Sequence, residues 1–527
     1  MLDLNVLNQA FLLGQGNART LRTIPIPAYR GMVVDRHGKP LAISTPVESV
    51  WVDPGSFDVT NPQITALCRV LKINYTQFKS RLSAYLKQHK SFLYVKRRVS
   101  PELAAQVKQL NVPGVNFQHE YKRFYPEGAV TSHVIGFTNV DDQGQEGVEL
   151  TFNQSLRGIP GAKRVVKDRM GHIVSVLNTV RKPQPGQDVR LSIDRGIQYL
   201  AYQALSEAAK EYQVKSGSLV VLDAKSGEIL AMVNYPSFNP NNRPADTNGR
   251  YRNRAVTDVF EPGSTIKAFS VSNALMHSHY TKDSIIDTNP GWMNVDGKTV
   301  RDVHPHGKLN LTGVLQKSSN VGVTKLTFAT PPDSLRTLLH SVGFGQQTGI
   351  HFPGESAGVL PDRTHWGNFA LATLSFGYGL SSTTLQLAEA YTVIADQGVK
   401  RPVSLLKRDK PTEGKQIIPA KFANEVRHML ETVVEKGGTA TRAQITGYRV
   451  SGKTGTVRVV GPHGYEKHKH IGFFVGMAPA SNPRIVAAVV MNEPAGWQYY
   501  GGLVAAPVFS KVVGGALRAL DVAPDKH

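Results

Sequence analysis

The chain has 527 residues and a mass of 57.6 kDa, more than one hydrophobic core ordinarily spans, so about two to four domains are expected. With 41% hydrophobic and 19% charged residues, 48 Gly and 31 Pro, the composition excludes a disordered or collagen-like chain. A formal net charge of +21 suits contact with nucleic acid, anionic lipid or acidic wall polymer without choosing among them; the basic residues are dispersed without aromatic interleaving, which speaks against nucleic acid and favours a plain basic solvated surface.

In chain order, Met1-Leu2-Asp3-Leu4 lacks the basic start of a signal peptide. Val6 to Leu13, with Asn8 and Gln9 inside it, is too short and too polar to cross a bilayer. Residues 24–188 mix short strand-like runs (Gly31 to Val34, Val47 to Trp51, Phe92 to Val95) with turn dipeptides and a helical stretch from Pro101 to Leu110, an irregular α+β module. The lone Cys68 excludes an internal disulfide and a cysteine-rich metal site, and its apolar surroundings make it a core filler. Gly144-Gln-Glu-Gly147-Val-Glu149 lacks the further acidic positions of a calcium loop, so its glycines are turn residues and no metal is expected.

Pro183-Gln-Pro185-Gly186 reads as a linker, after which a second domain is expected over 189–520. It opens with a strand, Val189 to Ile193, and a helix from Ile197 to about Tyr212 with Ile197, Leu200, Ala201, Leu205 and Ala208 on one face. Ser218 to Leu222 and Glu228 to Val233 flank Lys225-Ser226-Gly227 as a hairpin. Arg449 to Val460 and Arg484 to Met491 read as strands, and Ala506 to Leu520 as a closing helix. Strands at both ends with helices between predict helices packed on an antiparallel sheet, an α+β fold.

Three segments carry chemistry. In Phe260-Glu-Pro-Gly263-Ser264-Thr-Ile-Lys267 the Pro-Gly ends a loop and Ser264 opens a helix, which sets Lys267 on the same face three residues on. A serine with an amine in reach is a nucleophile if burial or neighbouring cations keep the lysine neutral; the alternative is a solvated lysine at a helix start. Lys317-Ser318-Ser319-Asn320-Val-Gly322 offers a hydroxyl that relays a proton and an amide that holds a substrate carbonyl or the lysine, or else a plain helix N-cap. Ser451-Gly452-Lys453-Thr454-Gly455-Thr456 lies on a predicted strand whose glycines admit a substrate backbone. Lys453 and Thr454 suit a carboxylate, and the backbone N–H groups of Thr456 and Ser264 suit an oxyanion hole.

Ser-x-x-Lys, Ser-x-Asn and Lys-Thr-Gly in this order match the set shared by penicillin-binding proteins and serine β-lactamases. Together with Arg30-Gly-Met-Val-Val-Asp35-Arg36-His-Gly38, Arg123-Phe-Tyr-Pro126, Lys167-Asp168-Arg169 and Phe376-Gly-Tyr378-Gly-Leu380, they make nearly the whole chain resemble the class B penicillin-binding proteins, septal type. The resemblance implies a noncatalytic, dimerisation-type pedestal at 24–188 and a penicillin-binding transpeptidase domain at 189–520. It also implies that 1–23 are the remnant of a removed membrane anchor, and that the protein works on the periplasmic face of the bacterial inner membrane. By the same resemblance Ser264 attacks stem peptides ending in D-Ala-D-Ala, Lys267 is the base, Ser318 the relay and Asn320 an orienting amide. Lys453, Thr454, Gly455 and Thr456 hold the terminal carboxylate, and Val303, Tyr378, Tyr499 and Tyr500 wall the pocket. It implies no cofactor and no metal, inhibition by β-lactams, and docking to the membrane glycosyltransferase FtsW and other divisome proteins. A noncatalytic divisome scaffold and a serine β-lactamase are the alternatives. Departures from the septal pattern are Ser381-Ser-Thr-Thr384 and the histidines of two loops, His304 and His306, His468 and His470, which read as ordinary surface histidines, with a pH-tuned paralogue as the alternative.

Overall fold

The computed structural model describes residues 21–167, 173–244, 249–363, 365–461 and 464–526; the expected anchor remnant up to residue 20, and Asp168 and Arg169 of the Lys167-Asp-Arg motif, lie outside them. Among the described residues no helix is long and apolar enough to cross a membrane.

Apolar runs without alternation mark strands covered on both faces, and β1 (Ser216–Asp223) is buried at every position. It pairs with β2 (Ile229–Tyr235) as the expected hairpin. β3 (Ser451–Gly461), β4 (Gly464–Ala478) and β5 (Ile485–Asn492) complete a five-stranded antiparallel sheet in the order β2-β1-β5-β4-β3. The strand carrying Lys453 to Thr456 is therefore an edge, with one side free of a ladder partner. Sequence reading put Tyr465 to His470 in a loop; they form the start of β4, where His470 pairs with Arg458. The charged, histidine-rich composition hid a strand whose second half, from Gly472, is wholly buried.

Helix α1 (Arg195–Glu211) starts where Asp194 Oδ1 accepts the N–H groups of Gly196 and Ile197. It packs on β2 and against the closing helix α5 (Ala506–Ala519). Gly515 permits that approach: a Cβ there would sit 2.3 Å from Leu200 Cδ2. The helices between these ends include α2 (Lys267–His277), α3 (Asn320–Phe328) and α4 (Thr384–Ala395). Helix α4, closed by a Thr383–Gln386 capping box, packs on β1 and β5.

The N-terminal half is built on a 13-residue strand, Pro40–Val52, paired antiparallel with Val115–Phe124 and Leu93–Val99. Helices Gln63–Leu71, Tyr75–Lys87 and Pro101–Gln109 join these strands around a separate core that includes Val50, Leu67, Phe78, Val107 and the buried Cys68. The glycine-rich loop is no cation site: Glu149, fully buried, accepts from Arg30 Nε and Arg123 Nε at 2.6 Å each. Among the described residues no group of acidic, histidine or cysteine side chains could hold a metal ion.

Removing one member of a buried ionic cluster strands the others, so Glu149→Gln is expected to cost about 3–5 kcal/mol. A urea unfolding midpoint unchanged from the parent would contradict this.

Candidate active site

The turn that carries Ser264 is held from two directions. Residues Gly263–Ile266 form a 3-10 turn that runs into α2 at Lys267, so Ser264 precedes the α-helix instead of opening it. Thr265 Oγ1 donates to the Pro262 carbonyl at 2.5 Å, and Tyr391 of α4 donates its hydroxyl to the Thr265 carbonyl at 2.7 Å. Gly263 N–H donates to the Gly377 carbonyl at 3.0 Å. A Cβ on Gly377, whose φ is +87°, would fall 2.0 Å from the Gly263 oxygen. Only glycine fits there, and the loop bearing Tyr378 is thereby pressed onto the serine turn. Ser264 itself is half-buried.

Lys267 and Lys453 are both fully buried, and they converge on one hydroxyl. Lys267 Nζ donates to the Ser318 carbonyl at 2.5 Å and lies 3.1 Å from Ser318 Oγ, while Lys453 Nζ lies 3.0 Å from the same Oγ. Burial first, and then the neighbouring Lys453 charge, push the Lys267 pKa well below the ordinary lysine range, with Asp302 opposing. Burial alone brings Lys453 down to about 7. Ser318 sits at φ +58°, a left-handed backbone costing about 1 kcal/mol for a residue with a Cβ, and it is flanked by the helix cap.

That cap explains the division of labour in Ser318-Ser319-Asn320. Ser319 is the N-cap of α3 and accepts the Gly322 N–H at 2.8 Å, which leaves Ser318 free for the lysines. Asn320, the first helical residue, donates Nδ2 to the Arg301 carbonyl at 2.8 Å. Sequence reasoning missed Asp302, which is buried and accepts from Ser319 Oγ at 2.7 Å, Asn320 N at 2.5 Å and Val321 N at 3.0 Å. A single loop aspartate gives no sequence signal; its meaning lies in the helix N-terminus it meets.

On the edge strand, Gly452 and Gly455 are required by the rings of β4: a Cβ would fall 2.4 Å from Phe474 Cζ and 2.0 Å from Phe473 Cε2. Thr454 Oγ1 bonds Thr439 Oγ1 at 2.7 Å, and Thr456 Oγ1 accepts the Gly501 N–H at 3.1 Å. Tyr378, Thr456, Arg458, His470, Tyr499 and Tyr500 share a cavity of about 390 Å³. Its wall includes a stack of His470 on Tyr499 at 3.9 Å, and burial with nearby Arg458 and His468 lowers the His470 pKa. Glu261 accepts from the Tyr465 hydroxyl at 2.9 Å and the Gly379 N–H at 3.0 Å. Val303, 81% exposed, does not line this cavity. It follows Asp302 on the anchored loop that also carries the exposed His304 and the half-buried His306, whose pKa burial lowers.

A half-buried serine three residues ahead of a buried lysine whose pKa is depressed, a hydroxyl shared by two lysines and an open sheet edge are the features of an acyl-serine site. The chain belongs to the penicillin-binding proteins: residues 217–514 match the penicillin-binding protein transpeptidase domain and 25–191 the penicillin-binding protein dimerisation domain. Within that family it is similar to the probable peptidoglycan D,D-transpeptidase PbpC of Pseudomonas aeruginosa, 42% identical over 99% of this chain and 92% of the relative. It is equally similar to peptidoglycan D,D-transpeptidase FtsI of Escherichia coli, 42% identical over 99% of this chain and 89% of that protein. Among solved structures, a peptidoglycan synthetase from Bifidobacterium adolescentis superposes with a TM-score of 0.76 at 26% identity, covering 96% of this chain and 98% of that one. The transpeptidase domain of Burkholderia pseudomallei penicillin-binding protein 3 is 42% identical, with a TM-score of 0.59 over 64% of this chain and 98% of that one.

Asp302→Ala leaves three donors without an acceptor, each costing about 1–3 kcal/mol. It is expected to slow β-lactam acylation at least tenfold by releasing Ser318 and Asn320, and to lower the unfolding temperature. An unchanged acylation rate in stopped flow would remove Asp302 from the site's support.

Proposed function

We propose that this protein crosslinks peptidoglycan as a septal D,D-transpeptidase through an acyl-enzyme on Ser264. The observation that carries the reading is the pair of buried lysines on one Ser318 hydroxyl. A neutral Lys267 amine takes the Ser264 proton as Oγ bonds the carbonyl carbon between the two terminal D-alanines. The oxyanion that forms is held by the backbone N–H groups of Ser264 and Thr456. The peptide C–N bond then breaks, and the leaving D-alanine nitrogen receives the proton through Ser318, whose Oγ touches both lysines. The amine of a neighbouring stem peptide attacks the ester, gives its proton back through the same path, and restores Ser264.

A protonated Lys453 with Thr454 and Thr456 pairs the terminal carboxylate of the substrate, which lies along the open edge of β3. Asn320, fixed to the Arg301 carbonyl, orients the penultimate amide. Tyr378, Tyr499 and Tyr500 form the apolar wall, and Val303 bounds the entrance. We assign the pedestal to 24–188 and the transpeptidase domain to 189–520. The pedestal carries the membrane-side interactions, including docking to FtsW and other divisome proteins at the periplasmic face of the inner membrane. Neighbouring carboxylates favour a transpeptidase over a β-lactamase: Asp302 is saturated by three donors and Glu261 by Tyr465 and Gly379, which leaves neither to activate a deacylating water.

Two measurements test this. Benzylpenicillin is expected to add its full mass once to the intact protein, to persist for many minutes, and to be absent from Ser264→Ala; rapid loss of the adduct would indicate a β-lactamase, and none at all a scaffold. The charge on Lys453, with its pKa near 7, is present below that pH and lost above it. Second-order acylation by a carboxylate-bearing β-lactam should therefore fall about fivefold between pH 7 and pH 8, the ratio for a single group titrating at 7. A flat profile over that interval would sink the assignment of the carboxylate to Lys453.

A further inference from the structure

The junction of the two halves holds a second concave site that the transpeptidase chemistry does not use. A cavity of about 320 Å³ lies between the pedestal strands and the loop after β2, lined among others by Arg98, Lys122, Arg123, Asn139, Asn242 and Arg243. This is at the small end of the range for ligand sites. Four cations face it. The local carboxylates do not balance them: buried Glu149 is shared between Arg30 and Arg123, and Glu120 lies 4.0 Å from Arg98 while also binding Arg97 at 3.2 Å. Asp142 is largely enclosed, and burial pushes its carboxyl pKa up despite the nearby arginines.

The donors are set but not satisfied. Arg123, whose side chain is 1% exposed, uses Nε on Glu149, yet its Nη2 is buried without an acceptor, as is Arg98 Nε. Buried donors of this kind cost free energy unless something accepts from them. Arg98 also sits at φ +56° beside an irregular register of the Glu48 strand, a backbone strain of the sort found at functional sites. Arg243 is held ready, donating Nη1 to the Thr138 carbonyl at 3.0 Å with its guanidinium 4.1 Å from the Phe137 ring centroid.

We propose that this junction cavity binds an oxyanion, a carboxylate or phosphate group, through Arg98, Lys122, Arg123 and Arg243. The oxyanion chemistry stands on the cavity alone. That the group belongs to a cell-wall fragment rests on the transpeptidase reading, since stem peptides supply carboxylates and lipid-linked wall precursors supply phosphates. The ligand would bridge pedestal and transpeptidase domain, because Arg98, Lys122 and Arg123 come from the first and Asn242 and Arg243 from the second.

The test uses the intact chain with Ser264 already blocked by benzylpenicillin, so that the catalytic groove cannot contribute. Inorganic pyrophosphate and muramyl tripeptide are each titrated by calorimetry into this protein, into Arg243→Gln, into Lys122→Gln, and into Lys79→Gln as an exposed control in the pedestal. Saturable one-to-one binding of either probe, weakened about tenfold by Arg243→Gln or Lys122→Gln but not by Lys79→Gln, is expected, with penicillin acylation unchanged in all three variants. Binding of muramyl tripeptide alone would identify the carboxylate source, and of pyrophosphate alone the phosphate source. No saturable binding of either probe at millimolar concentration, or equal weakening by Lys79→Gln, would overturn the proposal. Blocking with penicillin is itself a readout of Ser264, so failure of the catalytic reading would be seen separately, as an unlabelled protein.

Discussion

Two lysine side chains enclosed in protein and aimed at one hydroxyl are the constraint on which the rest of this molecule depends. Burying an ammonium group is expensive, and burying two side by side is more so, unless one gives up its proton. The fold buries Lys267 at the start of α2, against Ser318 ahead of α3 and beside Lys453 on the sheet edge, and so pushes its pKa well below the ordinary lysine range. Lys453, with burial as its sole cause of depression, keeps a pKa near neutrality and so remains able to carry charge. Two residues of one chemical type are thus depressed by different surroundings, burial and a neighbouring charge for Lys267 and burial alone for Lys453.

The surrounding structure serves to hold that geometry against its own cost. Tyr391 pins the serine turn from α4, Gly377 presses the Tyr378 loop onto it, and Asp302 ties a loop to the start of α3 so that Ser318 can stay in a left-handed conformation. Each contact reaches the site from a different element, so the site is a property of the packed domain and not of any one motif. The edge position of β3 adds the remaining feature, an unpaired ladder of the kind along which a peptide can lie.

Much of this was legible in the sequence because the chemistry sits in short, ordered motifs and the sheet strands are continuous apolar runs. The hairpin Ser216–Asp223 with Ile229–Tyr235, the first and last helices, and the edge strand came within a few residues of their positions. What escaped was set by distance in the chain. Asp302 acts on residues 17 to 19 positions away through space, and β4 begins with charged and histidine residues that resemble a loop until their pairing with β3 is known. The 3-10 turn at Ser264 escaped because local sequence separates it poorly from the first turn of an α-helix. Val303 shares the entrance loop with Asp302, yet its exposure keeps it off the aromatic wall, a distinction of orientation that a motif does not encode.

The buried Glu149 has an effect on architecture beyond its stability. Arg30 and Arg123 stand 93 residues apart, one where the chain leaves for the outer pedestal strands and one where it returns. Gripping both with one carboxylate staples the two ends of that excursion together at its root. The outer module, with its own core, thus branches from a root that one buried carboxylate holds closed.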